Sequence, residues 1–115
     1  MNVTAASQRT RIDVDQFHKM GEAGILAPGA RIELIEGELL DMPPIGTRHA
    51  YGVNTLNRLL YEARVQDRGV ISGQNSVIIS RLTEPQPDVL VLAPRVDGHR
   101  DAVPRSDEVL HRSIR

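Results

Sequence analysis

The spacing of apolar and polar positions changes several times along the chain, and each change marks a predicted element. Residues 1–12 are small and polar without a period, which predicts a flexible arm. The stretch DVDQFHKMGEAG then opens on Asp13 with Gln16 three residues on, a capping-box arrangement, with Val14 and Phe17 on one face and Gly21 and Gly24 as stop signals. A short helix follows from that pattern. In RIELIEGELLDM, Ile32 and Leu34 alternate with Glu33 ahead of the Glu36-Gly37 turn, and apolar residues resume at Leu39 and Leu40. This is the signature of a β-hairpin. PPIGT reads as a loop, because prolines withhold backbone donors.

Next, Ala50, Val53, Leu56, Leu59, Leu60 and Ala63 recur at three- and four-residue spacing, the stripe of an amphipathic helix ending near Gly69. Two β-branched runs follow, Val70–Ile71 and Val77–Ile79, divided by a Gly-Gln-Asn-Ser turn or bulge. In LTEPQPDVLVLAPR, residues 82–95, the run DVLVLA is apolar on both faces, which predicts a strand covered on both sides and central in its sheet. Past Pro94 the chain turns polar and irregular, with Val109 and Leu110 the only hint of another element. The fold class expected is α+β, with one domain over 13–110 and an atypical tail over 111–115.

Composition narrows the functions. A chain of 115 residues supports one core and not two. Three aromatic residues, Phe17, Tyr51 and Tyr61, leave no platform for stacking single-stranded bases. Net charge is −1, so any DNA contact must be local. Arg48, Arg58, Arg64 and Arg68 could offer a basic helix edge, but Glu62 and Asp67 dilute it, and a solvated face is the simpler reading. The absence of cysteine excludes disulfides and thiolate zinc sites, and His18, His99 and His111 lack ligand spacing. With no apolar leader or membrane span in the sequence, a cytoplasmic protein without a membrane partner is expected.

Five segments in one order, FHKMGEAGI, RIELIEGELLDM, PPIGTRHAYGVNTLNRLL, VISGQNSVII and EPQPDVLVLAPR, resemble the Uma family of restriction endonucleases, a branch of the PD-(D/E)xK nuclease superfamily. The resemblance spans about Phe17 to Leu110. It implies a restriction-endonuclease-like mixed sheet flanked by helices, and cleavage of DNA phosphodiesters that depends on Mg²⁺, with Mn²⁺ as a substitute. By the same resemblance Asp88 is the Asp of the PD motif and the metal ligand, and Glu33 is the upstream acidic catalytic residue. Pattern alone would make Asp88 a polar residue opening a buried strand, and Glu33 a solvent-facing strand position. His49 would border the cleft, or be an exposed residue in the first turn of a helix. Gln74 would orient a water or phosphate, or be a turn amide.

The family's Glu-x-Lys element follows a stretch like RSDEVL, and here that stretch leads to HRSIR. The expectation is therefore a chain truncated before that element and impaired in activity, or a non-catalytic nuclease-fold remnant that binds DNA or protein. One side of the DVLVLA strand would then lack a neighbour, which predicts self-association into a homo-oligomer.

Overall fold

The computed structural model describes residues 7–110. The expected tail over 111–115 and the first six residues of the expected arm lie outside the described residues. In chain order the elements are helix α1 (Val14–Glu22), strands β1 (Ile32–Ile35) and β2 (Glu38–Asp41), helix α2 (Thr47–Glu62), and strands β3 (Val70–Gly73) and β4 (Val89–Leu92). Short 3-10 turns occupy Val65–Asp67 and Ser106–Glu108. The strands form two antiparallel pairs, β1 with β2 and β3 with β4. This is an α+β fold consistent with a restriction-endonuclease-like domain.

Helix α1 starts where the sequence predicts. Asp13 Oδ1 accepts the Gln16 amide at 2.8 Å, and Gln16 Oε1 accepts the Asp13 amide at 2.9 Å, which satisfies two donors that a helix start leaves open. Val14 and Phe17 point inward to a core with Leu34 and Ile78. Ile12, at the end of the expected arm, packs against that core and donates its amide to Gly37 O at 3.0 Å.

The hairpin joins β1 to β2 through Glu36 and Gly37, with φ of 50° and 81°. Two consecutive positive φ values define the turn whose twist matches that of the flanking strands. A glutamate is costly there, and the amide bonds Glu36 N to Thr83 Oγ1 (3.0 Å) and Gly37 N to Leu82 O (2.8 Å) hold the turn. Only glycine fits at 37, because a Cβ would lie 2.6 Å from Arg11 Cβ. The other edge of β1 pairs with the segment before β4: Glu84 N donates to Leu34 O at 2.7 Å and Leu34 N to Glu84 O at 3.3 Å. Leu34 is fully buried as a result.

The Val77–Ile79 run is not the strand that its β-branched residues predict. Ile78 makes one isolated parallel bridge to Arg105, and the chain reverses at once, Ser80 bridging Thr83. Each residue of the run meets a different neighbour, Val77 the Pro85 carbonyl and Ile78 the Pro104 carbonyl. Val77 and Ile78 are buried by these neighbours, while Ile79 is exposed. Strand β4 is not central in a sheet: it pairs along its length with β3 on one edge, and a single Leu92–Val109 bridge partly covers the edge expected to lack a neighbour. Its faces are only partly covered, and Leu92 alone in the strand is buried.

Helix α2 ends at Glu62, short of Gly69, because Arg64 adopts a left-handed conformation (φ 60°) and a 3-10 turn follows. Among the described residues none in α2 is buried, and Leu56 and Leu59 of the predicted stripe are 45% and 50% exposed. The segment after β4 adds Val103 to the core and is otherwise ordered by charge. Arg95 Nε donates to Asp97 Oδ1 at 2.6 Å, Nη1 to Glu108 Oε2 at 3.0 Å and Nη2 to Ala102 O at 2.9 Å. Asp97 also accepts the backbone amides of His99 and Asp101, at 3.1 Å each.

Arg95 holds the Asp97 carboxyl well below its ordinary 3.8, to about 2, against an opposing effect of partial burial. The Glu108 carboxyl is lowered too, first by the Arg105 amide and then by Arg95. Carboxylates lowered in the folded state stabilise it above their unfolded pKa and lose that contribution as pH falls through the folded value. Urea midpoints should therefore drop progressively between about pH 4 and about pH 2, and Arg95→Ala should flatten that drop. In the core, Leu34→Ala should cost about 3 kcal/mol in urea unfolding at neutral pH, through lost apolar transfer and the cavity left behind.

Candidate active site

Pro87 fixes the chain direction just ahead of β4, and Asp88 is the residue before its first position. The loop 43–46, with its two prolines and Gly46, delivers α2 so that His49, in the first helical turn, faces Asp88. His49 Nε2 donates to Asp88 Oδ2 at 2.7 Å. From another side, the Gln74 amide donates to the Asp88 carbonyl at 3.1 Å, and Gln74 itself is left-handed with φ 54°. Asp88 is thus gripped through its side chain by α2 and through its backbone by the residue following β3. The His49 and Asp88 side chains remain 48% and 38% exposed. A pair so wet adds at most about 1 kcal/mol to stability, so its main effect is to fix the direction of the carboxylate.

Glu33 is not the solvent-facing residue that alternation suggests. It is 7% exposed, and its Oε1 accepts the Gln86 amide at 2.6 Å. The Leu34–Glu84 bridge causes this, since it lays the 83–86 segment along β1 and covers the Glu33 side chain. Glu33, His49 and Asp88 line one open cavity of about 450 Å³, together with Arg31, Met42 and Gln86. Asp88 also lines a recess of about 390 Å³ against α2 and another of about 300 Å³ with Gln74, Asn54 and Asn57. Of the four residues singled out in the sequence, Asp88 bonds to His49 and to Gln74 and shares a cavity with Glu33, while Gln74 and Glu33 face different recesses.

Whether this cluster suits a divalent cation can be read from its donors. Among the described residues no group of three or more His, Cys, Asp or Glu side chains is placed to hold a metal ion. Magnesium keeps several waters and often takes one or two carboxylates. The half-exposed Asp88 fits a loosely held hydrated ion of that kind, whereas Glu33 is occupied by the Gln86 amide. A cavity of about 630 Å³ lies between β3 and residues 98–104 and contains neither Glu33 nor Asp88. Its charged lining residues Arg100 and Asp101 pair with each other at 2.9 Å.

Sequence reading missed three polar groupings. His18 Nε2 donates to the buried Glu84 Oε1 at 2.6 Å and ties α1 to the segment beside β1. The Arg95 network is the second. The third is Arg31, which shares the cavity with Glu33 and has a buried Nε without a partner among the described residues. A buried donor left unpaired costs about 1–3 kcal/mol. The signal for Arg31 was available as strand parity, since residues 31 and 33 project to the same side of a strand. Nothing local signalled the other two.

A small α+β domain whose Pro-Asp step opens a strand, with a second carboxylate and a histidine on the same cleft, fits the restriction-endonuclease-like class. Over residues 14–111 the sequence matches the Uma2 family, described as "Putative restriction endonuclease", and the chain belongs to that family. No curated protein is significantly similar to it. No helix among the described residues is long and apolar enough to cross a membrane.

If the Glu33–Gln86 bond anchors the cleft, Glu33→Ala should lose about 2 kcal/mol by stranding a buried amide. Glu33→Gln retains an acceptor oxygen and should lose less, as compared by urea midpoints.

Proposed function

We propose that this chain carries residues of a Mg²⁺-dependent DNA endonuclease centre of the PD-(D/E)xK type, acting in the cytoplasm on phosphodiester bonds. The observation that supports this best is the convergence of Asp88, His49 and Glu33 on one cleft, in a chain of this family. Asp88 is the carboxylate that would hold the cation, Mg²⁺ or Mn²⁺. When bound, such an ion neutralises charge at the phosphate and lowers the pKa of a coordinated water.

The chain's own residues have defined tasks in this reading. His49 occupies Asp88 Oδ2 and so turns the remaining oxygen toward the cleft. Glu33 accepts a hydrogen bond from Gln86, which holds the backbone one residue ahead of Pro87 and so sets the position of Asp88. With its remaining oxygen it can accept a proton or orient a water near the scissile bond. Gln74 keeps the Asp88 carbonyl in place and offers an amide toward the neighbouring recess.

The lack of a three-donor cluster among the described residues favours a second reading, in which the domain binds DNA or a protein partner without cutting. Incubation of the purified protein with supercoiled plasmid and Mg²⁺ or Mn²⁺ separates the two. Metal-dependent nicking that falls about a hundredfold or more in Asp88→Ala is the expected result, and plasmid that stays intact while being retarded on a gel supports the binding module. Cleavage untouched by the substitution removes Asp88 from the reaction. In thermal unfolding, rising Mg²⁺ should raise the Tm of the wild type, and the rise should vanish in Asp88→Ala.

A further inference from the structure

The cleft of Glu33, His49 and Asp88 has a cationic wall. Arg31 precedes β1 by one residue, and its position is fixed at the open end of the hairpin by the Met42 amide, which donates to the Arg31 carbonyl at 2.8 Å. Strand parity brings its side chain to the same side as Glu33, and both line the 450 Å³ cavity with Asp88. We infer that Arg31 is the residue that grips a backbone phosphate of the nucleic acid, next to the carboxylates. This rests on the nuclease reading of the same cleft.

One observation separates Arg31 from a cation that merely dresses the surface: it shares a cavity with two carboxylates and pairs with neither. Arg9, Arg58, Arg64, Arg95 and Arg100 each form a short side-chain bond to a carboxylate, whereas Arg31, like Arg11, Arg48, Arg68 and Arg105, forms no ion pair among the described residues. This holds although two carboxylates share its cavity. Its Nε is moreover buried with no acceptor. Packing of the aliphatic stem encloses that nitrogen and leaves the far end of the fork, Nη1 and Nη2, for the cleft.

The chemistry identifies that ligand. A phosphodiester entering a cleft with two carboxylates meets repulsion from both, and one hydrated cation at Asp88 offsets only part of it. The guanidinium fork presents its two Nη groups in one plane, where phosphate oxygens accept in pairs, and it keeps its charge when partly desolvated. Arg31 is a substrate-positioning residue in this assignment, and it acts on binding before any bond is broken.

The test measures binding of a fluorescein-labelled DNA duplex by anisotropy across a series of salt concentrations, with divalent metal removed so that no cleavage occurs. Arg31→Gln should weaken binding about tenfold and make the slope of log K against log [salt] shallower by about 0.9, the contribution of one phosphate. Arg31→Lys should keep the wild-type slope and recover part of the affinity, since it retains the charge and loses the fork. A purely structural role would lower urea midpoints without moving the slope. Should Arg31→Gln not fold, the wild type carries the test: the Arg31 Nε–H signal in a ¹⁵N spectrum should shift on titration with inorganic phosphate. A wild-type slope in Arg31→Gln, or a phosphate titration that leaves the Arg31 signal in place, overturns the assignment. If plasmid cleavage still depends on Asp88 in that case, the nuclease reading stands without Arg31. A wild type that neither binds nor cuts DNA removes both.

Discussion

The pairing of Leu34 with Glu84 is the contact on which the rest of the site depends. Two backbone hydrogen bonds join the first hairpin to a segment some fifty residues downstream, and they bury Leu34 completely. They also bring Gln86 against Glu33, two residues before Asp88, and place Thr83 beneath the hairpin turn. Glu84 is held a second time through its side chain by His18, so α1, β1 and the approach to β4 meet at one residue. The carboxylate pair of the cleft is thus a product of backbone geometry before it is a matter of side-chain chemistry.

The balance of forces differs between the two ends of the molecule. Around Leu34 the stabilisation is apolar burial, with Val14, Phe17 and Ile78 in contact. After β4 there is little apolar material, and the fold is held by Arg95 and its carboxylates, a network whose strength depends on pH and ionic strength. Helix α2 belongs to neither regime. Its positioning contact at the cleft is the His49–Asp88 bond at its first turn; beyond that turn Leu56 and Leu59 are half exposed, while Val53 lines the recess beside Asp88.

Much of the fold was legible because it is written locally. The Asp13 and Gln16 cap, the Glu36-Gly37 turn and the unbroken DVLVLA run each specify an element from a few adjacent residues. What was not legible comes from pairings distant in sequence. The burial of Glu33 is caused by a residue 53 positions away, and the His18–Glu84 bond spans 66. The Val77–Ile79 run has strand composition, yet it meets three separate neighbours and cannot build a ladder. Asp88 and Glu33 were found by resemblance to a family. The arrangement that would make sense of them, with His49 on one side and Gln86 on the other, needed coordinates.

The hairpin turn carries a consequence for the cleft that its distance conceals. Side chains along a strand alternate between faces, so sliding β1 past β2 by a single residue would exchange inside for outside. Arg31 and Glu33 would swing into water together, and Ile32 and Leu34 would take their place on the wrong face. The close approach of Arg11 at Gly37 and the amide bonds of Glu36 and Gly37 allow one turn length and no other. A glycine that touches no functional residue therefore sets the phase of the strand, and with it whether the cleft presents charged or apolar side chains.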